Sequence, residues 1–320
     1  MSGPIELRMM DVANKTFAKT FVDYLENHEK FIKNFRLLLN GLDKKQQDLL
    51  KNIYSRANFV HHSPVYSILN YTEEEKLEQI RHRQNFPPKL IREGNFFRYE
   101  NYILPDNLFE ISVFFYELGI NYLKHPENIK GKDFLDVGAF IGDSALILNK
   151  LNPKKIYAFE PVANLYDKMN TTFEINNITD VAVPIKFGLG KEETQLEIGV
   201  MNSQSSTQTW TNNQNVQKEL INITTIDKFV FDNDLDVGLI KIDTESCELD
   251  IIEGAVETIK KFKPVLILSI YHTAVDFFEL KPFIEALNLG YTFNAVKLDP
   301  FNFLSETMLI GEITQKRAAF

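Results

Sequence analysis

The chain has 320 residues, of which 44% are hydrophobic and 25% charged, and its formal net charge is −9. These values are ordinary for a globular protein of one large domain with an appendage, or of two modest domains. A protein that binds the phosphate backbone normally carries a basic stripe, and none is found here, which argues against a nucleic-acid substrate. The single cysteine, Cys247, excludes an intrachain disulfide and fits a reducing compartment.

The N-terminus has no apolar signal core, and no apolar stretch approaches the roughly 20 residues of a membrane-spanning helix. We therefore expect a cytoplasmic protein without a membrane span.

The first part of the chain has the pattern of amphipathic helices. Apolar residues recur at helical spacing from Phe17 to Leu39, which predicts one helix with an apolar face. A second helix is predicted from Lys44 to Tyr54, and a third begins after Thr72, a good N-cap that three glutamates follow. The sequence NFPP, Asn85 to Pro88, ends that helix. A further helix is predicted from about Asn107 to Tyr122.

Short β-rich runs begin at Lys132 and alternate with helical patterns. They read DFLDV, KIYAFE, AVPIKF, QLEIGV, VGLIKID and VLILSIY. Such runs predict an α/β fold with a mostly parallel sheet that helices cover on both faces. The last runs, YTFNAVKL and ETMLIGE, predict a closing hairpin that adds one antiparallel strand. The polar stretch from Asn202 to Gln217, which contains Trp210, is predicted to be a surface loop.

The segment FLDVGAFIGDSALIL, Phe134 to Leu148, has the order strand, glycine turn, helix. This order presents backbone N–H groups and a helix N-terminus to a ligand. The dinucleotide fingerprint G-x-G-x-x-G is absent, and Asp136, two residues before Gly138, disfavours a pyrophosphate. The same acid favours a ligand with an ammonium and a sulfonium group, such as S-adenosylmethionine. Asp143 is either a cap of the helix or a part of this site.

Three polar residues end other predicted strands at the same edge of the sheet. Glu160 ends the next strand, 22 residues after Gly138, where an acid can accept hydrogen bonds from ribose hydroxyls; a solvated strand end is the alternative. Asp243 and His272 end two later strands, at the carboxyl edge where doubly wound sheets bind ligands. Glu248 falls in a first helical turn, where a carboxylate complements the helix dipole.

Three successive blocks resemble the FkbM family of S-adenosylmethionine-dependent methyltransferases: FLDVGAFIGDSAL, KIYAFEPVANLYDKM and LIKIDTESCELDIIEGAVETIKKFKPVLILSIYH. The segment INITTIDKFV resembles the block before the third, and the similarity covers roughly Lys132 to Glu312. It implies a class I methyltransferase fold, which is a Rossmann-like, mostly parallel seven-stranded sheet with one antiparallel strand. It also implies methyl transfer to a hydroxyl, often of a sugar or a secondary metabolite. We expect an N-terminal helical region at 1–95 and a methyltransferase domain at 96–320.

The resemblance assigns roles to individual residues. Together with the fold's topology and the helix start, it implies that the cofactor is held by Asp136, Gly138, Ala139, Gly142, Asp143, Glu160, Phe187, Gly188 and Asp243. The family reads Asp-x-Glu-Gly-x-Glu where this chain has Asp243, Glu245 and Glu248, and Ser246 replaces the glycine. If the turn needs a positive φ, a serine strains it.

The expected chemistry is in-line attack of a substrate hydroxyl on the sulfonium methyl. His272 is the candidate general base, while Asp243 and Glu245 orient the hydroxyl or the base. A Mg²⁺ shared by Asp243 and Glu245 ranks second, because the sequence shows no complete ligand set.

Other functions stay open at this point. The same sheet would suit a nicotinamide-dependent oxidoreductase, or a non-catalytic module that contacts partners through its N-terminal helices. Those helices either pack on the catalytic domain, which their apolar face favours, or form a homo-oligomer, or recognise the acceptor.

Overall fold

The computed structural model describes residues 18–62, 71–201, 204–206 and 217–313. The helices at the N-terminal end are α1 (18–25), α2 (His28–Leu39), α3 (Lys44–His62) and α4 (Glu73–Asn85). Among the described residues, none of the helices is both long and apolar enough to cross a bilayer.

Two of the predicted N-terminal helices need correction and one is confirmed. The prediction of a single helix from Phe17 to Leu39 is wrong, because the chain leaves the helical conformation between α1 and α2. Asn27 caps the start of α2, and its side chain accepts a hydrogen bond from the Lys30 amide at 3.1 Å. Helix α3 runs on past Tyr54 to His62. Helix α4 is capped as predicted, because Thr72 and Glu75 each accept a hydrogen bond from the other's backbone amide.

A small antiparallel sheet that the sequence analysis did not predict follows α4. Its strands are β1 (Leu90–Glu93), β2 (Phe96–Tyr99) and β3 (Tyr102–Leu104). The helix predicted from Asn107 to Tyr122 is also wrong. Only two short helical turns form there, Ile111–Phe115 and Glu117–Tyr122, and Leu118 and Gly119 have φ of 53° and 74° inside the second. A left-handed backbone cannot continue an α-helix, so the chain bends at this point.

The strands and helices of the rest of the chain alternate. In chain order they are β4 (Asp133–Val137), α5 (Asp143–Leu148), β5 (Lys155–Phe159), α6 (Ala163–Ile175), β6 (Ala182–Ile185), β7 (Gly188–Leu189), β8 (Thr194–Met201), β9 (Gln204–Ser206), β10 (Gln217–Thr224), α7 (Ile226–Asp232), β11 (Val237–Ile242), α8 (Glu248–Glu253), α9 (Val256–Phe262), β12 (Val265–Ser269), α10 (Ala274–Ala286), β13 (Tyr291–Lys297) and β14 (Thr307–Ile313).

The central sheet has seven strands in the order β13-β14-β12-β11-β4-β5-β6. Its neighbouring pairs are parallel except at β14, which runs antiparallel to both β12 and β13. The mostly parallel sheet with one antiparallel strand in a closing hairpin is therefore confirmed. Strands β4, β11 and β12 are buried along their whole length, which explains their nearly continuous apolar sequences.

The run QLEIGV does not join the central sheet. It lies in β8, which pairs antiparallel with β10 in a separate sheet of order β7-β10-β8-β9. Much of the polar loop predicted from Asn202 to Gln217, including Trp210, lies outside the described residues. The described parts of that stretch, Gln204–Ser206 and Gln217, belong to strands β9 and β10.

The N-terminal helices pack against α10 through aromatic side chains. Phe278 of α10 is fully buried, and its ring lies within 6.4 Å, centroid to centroid, of five rings from α1, α2 and α3: Phe21, Tyr24, Phe31, Phe35 and Tyr54. Lys281, one turn further along α10, donates hydrogen bonds to the Leu37 and Asn40 carbonyls at the end of α2. The apolar face of these helices is thus covered by the chain's own α10.

Replacing Phe278 with alanine should destabilise the protein by about 3–5 kcal/mol, because it removes the ring around which the other five pack. Urea unfolding of both proteins measures the difference. The matched control is Phe231→Ala, since the Phe231 side chain is 84% exposed and its loss should change stability by no more than about 0.5 kcal/mol. Equal effects of the two substitutions would contradict this account of the packing.

Candidate functional site

The glycine turn between β4 and α5 needs glycine at two positions. Gly138 and Gly142 have φ of 72° and 83°. A Cβ at Gly138 would lie 1.8 Å from the Asp243 carbonyl oxygen, and one at Gly142 would lie 2.6 Å from Cε1 of Phe173. The buried Ala139 donates its amide to the Phe159 carbonyl at 2.9 Å. The turn therefore lies directly against the end of β11 on one side and against α6 on the other.

Asp136 has partners inside the protein rather than an open face toward a ligand. Its carboxylate is fully buried, Ser144 Oγ donates to Oδ2 at 2.6 Å, and Lys241 Nζ lies 3.2 Å from Oδ1. Lys241 also donates to the Gly138 carbonyl at 2.8 Å. Burial lowers the pKa of Lys241, but Asp136 and the acids around it raise it above its ordinary value, so the ammonium stays charged. Asp136 thus holds the turn from beneath.

Asp143 opens α5 and is buried. Its Oδ1 accepts the amide of the next residue, Ser144, at 3.0 Å, so it does not cap the helix in the usual way across two or three residues. Burial raises the pKa of Asp143 to about 7, against the lowering effect of Lys241. A carboxyl group whose pKa is raised toward neutrality therefore lies beside the turn.

Glu160 follows β5 at the predicted place. Its side chain is buried and accepts the Val162 amide at 2.9 Å and a backbone hydrogen bond from Phe140. Burial raises the pKa of Glu160 to about 7, because two backbone donors and a distant cation only partly offset the lost solvation. The carboxyl group is fixed next to the glycine turn rather than left as a solvated strand end.

Phe187 and Gly188 lie at the junction between β6 and β7. Phe187 is 41% exposed, and Gly188 is buried in parallel register with Ile223 of β10. A Cβ at Gly188 would lie 2.5 Å from Cδ1 of Ile223, so glycine is needed for this strand pairing. Phe187 offers an apolar ring to solvent beside the carboxyl ends of β5 and β6.

The segment after β11 has a strained backbone. Glu245 and Ser246 have φ of 56° and 95°, both in the region that favours glycine. The serine therefore stands in a turn that does require a positive φ. Asp243 is held through its amide, which donates to the Val137 carbonyl at 3.1 Å, and its side chain is 27% exposed. Glu245 is the exposed acid of the same turn.

His272, after β12, lies among three carboxylates. Its Nδ1 is 2.8 Å from Glu248 Oε1, and its Nε2 is 3.5 Å from Asp243 Oδ1 and 4.0 Å from Glu245 Oε2. Both His272 and Glu248 are buried. The predicted meeting of His272 and Asp243 at one sheet edge is what the structure shows. Glu248 was interpreted mainly as a complement to the helix dipole, whereas the structure gives it the imidazole as a direct partner.

The charge of this cluster differs from what a near-neutral base requires. Burial alone would lower the pKa of His272, but Glu248, Asp243 and Glu245 raise it to about 10. His272 is therefore protonated at neutral pH in the ligand-free protein. Burial raises the pKa of Glu245, while the His272 charge holds the pKa of Glu248 below its ordinary range although burial opposes this.

Three residues that the sequence analysis did not single out line the same edge. Tyr271 donates its hydroxyl to Glu306 at 3.0 Å and faces Asp243 Oδ1 at 3.4 Å. Burial and Asp243 raise the pKa of Glu306 to about 7. Glu110 is exposed to solvent and interacts electrostatically with Glu306, Asp143 and Asp243. Tyr271 directly precedes His272, but the two glutamates come from distant parts of the chain and carry no sequence signal.

Lys241 was also missed, although the sequence does contain a signal for it. It is the single charge inside VGLIKI, and Asp136 is the inner charge of DFLDV. The parallel register of β4 and β11 pairs these two residues directly. An isolated charge in each of two buried strands indicates an ion pair across them.

The edge as a whole is acidic, with Asp143, Glu160, Asp243, Glu245, Glu306 and Glu110 around the glycine turn. Within the described residues, the cations that interact with this group are Lys241, His272 and Lys297. Such a surface suits a cationic ligand and disfavours a polyanion.

A family model for the methyltransferase FkbM domain matches residues 136–293. None of the curated proteins compared matches the sequence. The matched region contains the glycine turn, Glu160, the acidic turn after β11 and His272.

A solved structure of an FkbM methyltransferase shares the fold. The methyltransferase FkbM of Methylobacillus flagellatus KT is 18% identical with a TM-score of 0.58, and the match covers 91% of this chain and 60% of that one. The chain thus spans about 60% of the length of that protein. A putative rRNA-methylase from Clostridium thermocellum is 13% identical with a TM-score of 0.41 and covers 62% of this chain and 96% of its own. An O-methyltransferase from Bacillus cereus, in complex with S-adenosylhomocysteine (SAH), is 10% identical with a TM-score of 0.37. The match covers 77% of this chain and 94% of that one.

Backbone strain at Ser246 should appear in a comparison of two substitutions. Ser246→Gly and Ser246→Ala both remove the hydroxyl, but only glycine removes the Cβ, so the glycine variant should be more stable by about 1–2 kcal/mol. Thermal or urea unfolding measures the difference.

The control is the same two substitutions, to glycine and to alanine, at Ser55 inside helix α3. There the glycine variant should be less stable than the alanine variant by about 1 kcal/mol. The same sign of difference at both positions would show that the turn after β11 is not strained.

Proposed function

We propose that this protein, a member of the FkbM methyltransferase family by the match over residues 136–293, transfers a methyl group from S-adenosylmethionine to a hydroxyl of a sugar, a glycan precursor or a secondary metabolite. The observation that best supports this proposal is that two features lie at the same sheet edge. One is the closely packed glycine turn, and the other is the cluster of Asp243, Glu245 and His272. The family sets aside the nicotinamide-dependent alternative.

In this proposal the donor lies over the glycine turn of a class I methyltransferase fold. The backbone from Gly138 to Gly142 meets its methionine part, with Asp143 beside it, and Glu160 accepts hydrogen bonds from the ribose hydroxyls. The adenine packs near Phe187 and Gly188. The acidic edge favours the sulfonium and ammonium charges of the donor. Asp136 contributes from beneath by fixing the turn.

The methyl transfer needs alignment more than charge stabilisation at the leaving group. The acceptor oxygen attacks the methyl carbon in line, the carbon–sulfur bond breaks with its electron pair on sulfur, and a neutral thioether leaves. The hydroxyl proton must go to a protein group or to water. Asp243 is partly exposed and its Oδ1 lies 3.5 Å from His272 Nε2, so we assign it the contact with the acceptor hydroxyl, with the more exposed Glu245 beside it.

His272 is the third member of this machinery. It is buried behind Asp243, and its protonated ring is oriented by Glu248 through Nδ1. It can act as the general base only after it loses its proton. The positive charge of the bound donor, together with the loss of water from the edge when the acceptor binds, would favour that loss. His272 is placed to orient the Asp243 carboxylate whether its own ring is protonated or neutral.

The domain division at residue 95 remains part of the proposal, as does a cytoplasmic location, which the single cysteine supports. Because α10 covers the aromatic face of α1, α2 and α3, a homo-oligomer through these helices would have to use another of their faces. Mass analysis of the purified protein for bound S-adenosylmethionine or its demethylated product tests the donor. A panel of sugar and lipid-linked sugar acceptors, scored by release of that product, tests the reaction.

Cofactor affinity should rise with pH through the titration of Glu160. Its pKa is raised to about 7, and the charged carboxylate is the form that accepts hydroxyl hydrogen bonds, so binding weakens as pH falls below 7 and levels off above it. Calorimetry with S-adenosylhomocysteine should show roughly tenfold tighter binding at pH 8 than at pH 6.

Glu160→Gln should bind more weakly and lose most of this pH dependence. Glu74→Gln is the control, because Glu74 is an exposed acid of α4 paired with Lys45. A pH profile that is unchanged in Glu160→Gln would remove Glu160 from the ribose site.

Substitution of the acidic cluster should separate turnover from donor binding. We expect His272→Gln and Asp243→Asn to lower kcat by about 10²–10⁴-fold with the acceptor found in the panel. Donor affinity should stay within about threefold, because the proposal assigns both side chains to the acceptor rather than to the donor.

His125→Gln is the matched histidine control, since His125 is exposed and paired with Glu127. Circular dichroism checks that the buried substitution folds. Loss of donor binding in parallel with kcat would assign these residues to the cofactor site instead of the reaction.

A further inference from the structure

We propose that Asp243 and His272, with Glu248 orienting the imidazole, form a binding site for a divalent transition-metal cation at the carboxyl ends of β11 and β12. The site deepens the proposed methyl transfer, and its role in catalysis rests on that function, whereas its capacity to bind a cation can be tested alone. It differs from a magnesium ion shared by Asp243 and Glu245, because it includes a buried imidazole and a buried carboxylate.

The spacing of the side chains fits one cation. Potential ligand atoms of Asp243, Glu248 and His272 all lie within 4.8 Å of one another. His272 Nε2 and Asp243 Oδ1 are 3.5 Å apart. Two ligands at about 2.1 Å from one metal lie about 3.0–3.5 Å apart at octahedral or tetrahedral angles. Glu245 Oε2, 4.0 Å from Nε2, stands on the same side and adds negative charge.

In the part of the chain that the structure describes, the cluster contains one buried carboxylate oxygen without a hydrogen-bond partner and one buried imidazole nitrogen with only distant carboxylate partners. Among the described residues, Glu248 Oε2 is buried without a hydrogen-bond partner. His272 Nε2 belongs to a side chain that is 2% exposed, and its recorded distances to carboxylate oxygens of 3.5 and 4.0 Å are long for hydrogen bonds. Buried polar atoms that protein partners leave unsatisfied point to a missing ion or water. A cation bound by His272 Nε2 and Asp243 Oδ1 would give this nitrogen a close partner.

The remaining atoms of the cluster are already fixed. Glu248 Oε1 accepts the Thr244 amide at 2.8 Å and contacts His272 Nδ1 at 2.8 Å. A carboxylate that holds one imidazole nitrogen so that the other can face a metal is the common arrangement of metal-binding histidines. The partly exposed Asp243 side chain leaves the site open on the side where the acceptor would approach.

The ligand set favours a first-row transition metal over Mg²⁺. An imidazole nitrogen suits Mn²⁺, Fe²⁺, Co²⁺ or Zn²⁺, whereas Mg²⁺ prefers oxygen ligands and water. A bound cation on this edge would lower the pKa of an acceptor hydroxyl that coordinates it, and so ease loss of its proton as the methyl group arrives.

Manganese is the probe that tests the site. The full-length protein, freed of metal with a chelator and dialysed, is titrated with Mn²⁺, and free Mn²⁺ is followed by electron paramagnetic resonance. We expect one site with a dissociation constant in the micromolar range. Asp243→Asn and His272→Gln should each weaken binding at least about tenfold, since each removes a ligand.

The matched control is Asp250→Asn. Asp250 is an exposed acid of the same helix as Glu248, paired with Lys191, and its loss should leave Mn²⁺ binding unchanged. No binding by the folded wild-type protein up to millimolar Mn²⁺, or binding that the Asp243 and His272 substitutions leave intact, would overturn the proposed site.

Binding of S-adenosylhomocysteine, measured on the same preparations, separates the two proposals. Donor-product binding and methyl transfer that persist in the chelated, metal-free protein would reject a catalytic role for the cation and leave the methyltransferase function standing. Tight Mn²⁺ binding without any affinity for S-adenosylhomocysteine would keep the metal site and reject the donor site.

Discussion

The ion pair between Asp136 and Lys241 is the constraint on which the site depends. Both side chains are buried, and two further hydrogen bonds support the pair: Ser144 donates to Asp136, and Lys241 donates to the Gly138 carbonyl. Removing one partner of such a pair typically costs about 3–5 kcal/mol, since the other charge is left alone in the interior. The pair links β4 and β11 near their carboxyl ends, just before the glycine turn and the acidic turn begin.

The glycine turn and the acidic turn consequently behave as one unit. The Asp243 carbonyl occupies the space that any Cβ at residue 138 would need, and the Asp243 amide is bonded to Val137. A change in the turn that we assign to the donor therefore moves the strand end that carries Asp243. This coupling gives the buried Lys241 a structural role in a strand that is otherwise apolar. It fixes the distance between the methyl donor and the group proposed to meet the acceptor.

The sequence predicted those parts of the fold that local pattern determines. Strands β4, β11 and β12 are buried on both faces, and their continuous apolar runs could not belong to an amphipathic element. The small sheet of β1, β2 and β3 escaped prediction because its strands are only three or four residues long. The break at Leu118 and Gly119 escaped it because a helical spacing of apolar residues says nothing about a positive φ that packing against β13 and β14 imposes.

The same division applies to the site. Parallel strands bring their carboxyl ends to one edge, so Asp243 and His272 could be placed together from the sequence. The charge state of His272 could not, because it depends on a carboxylate, Glu248, whose burial and hydrogen bond to Nδ1 are products of tertiary packing. The three carboxylates that keep this imidazole protonated are also what a divalent cation would need. Proton and metal would compete for the same nitrogen, so the ring that is a poor base in the free protein is a suitable metal ligand wherever a cation displaces its proton.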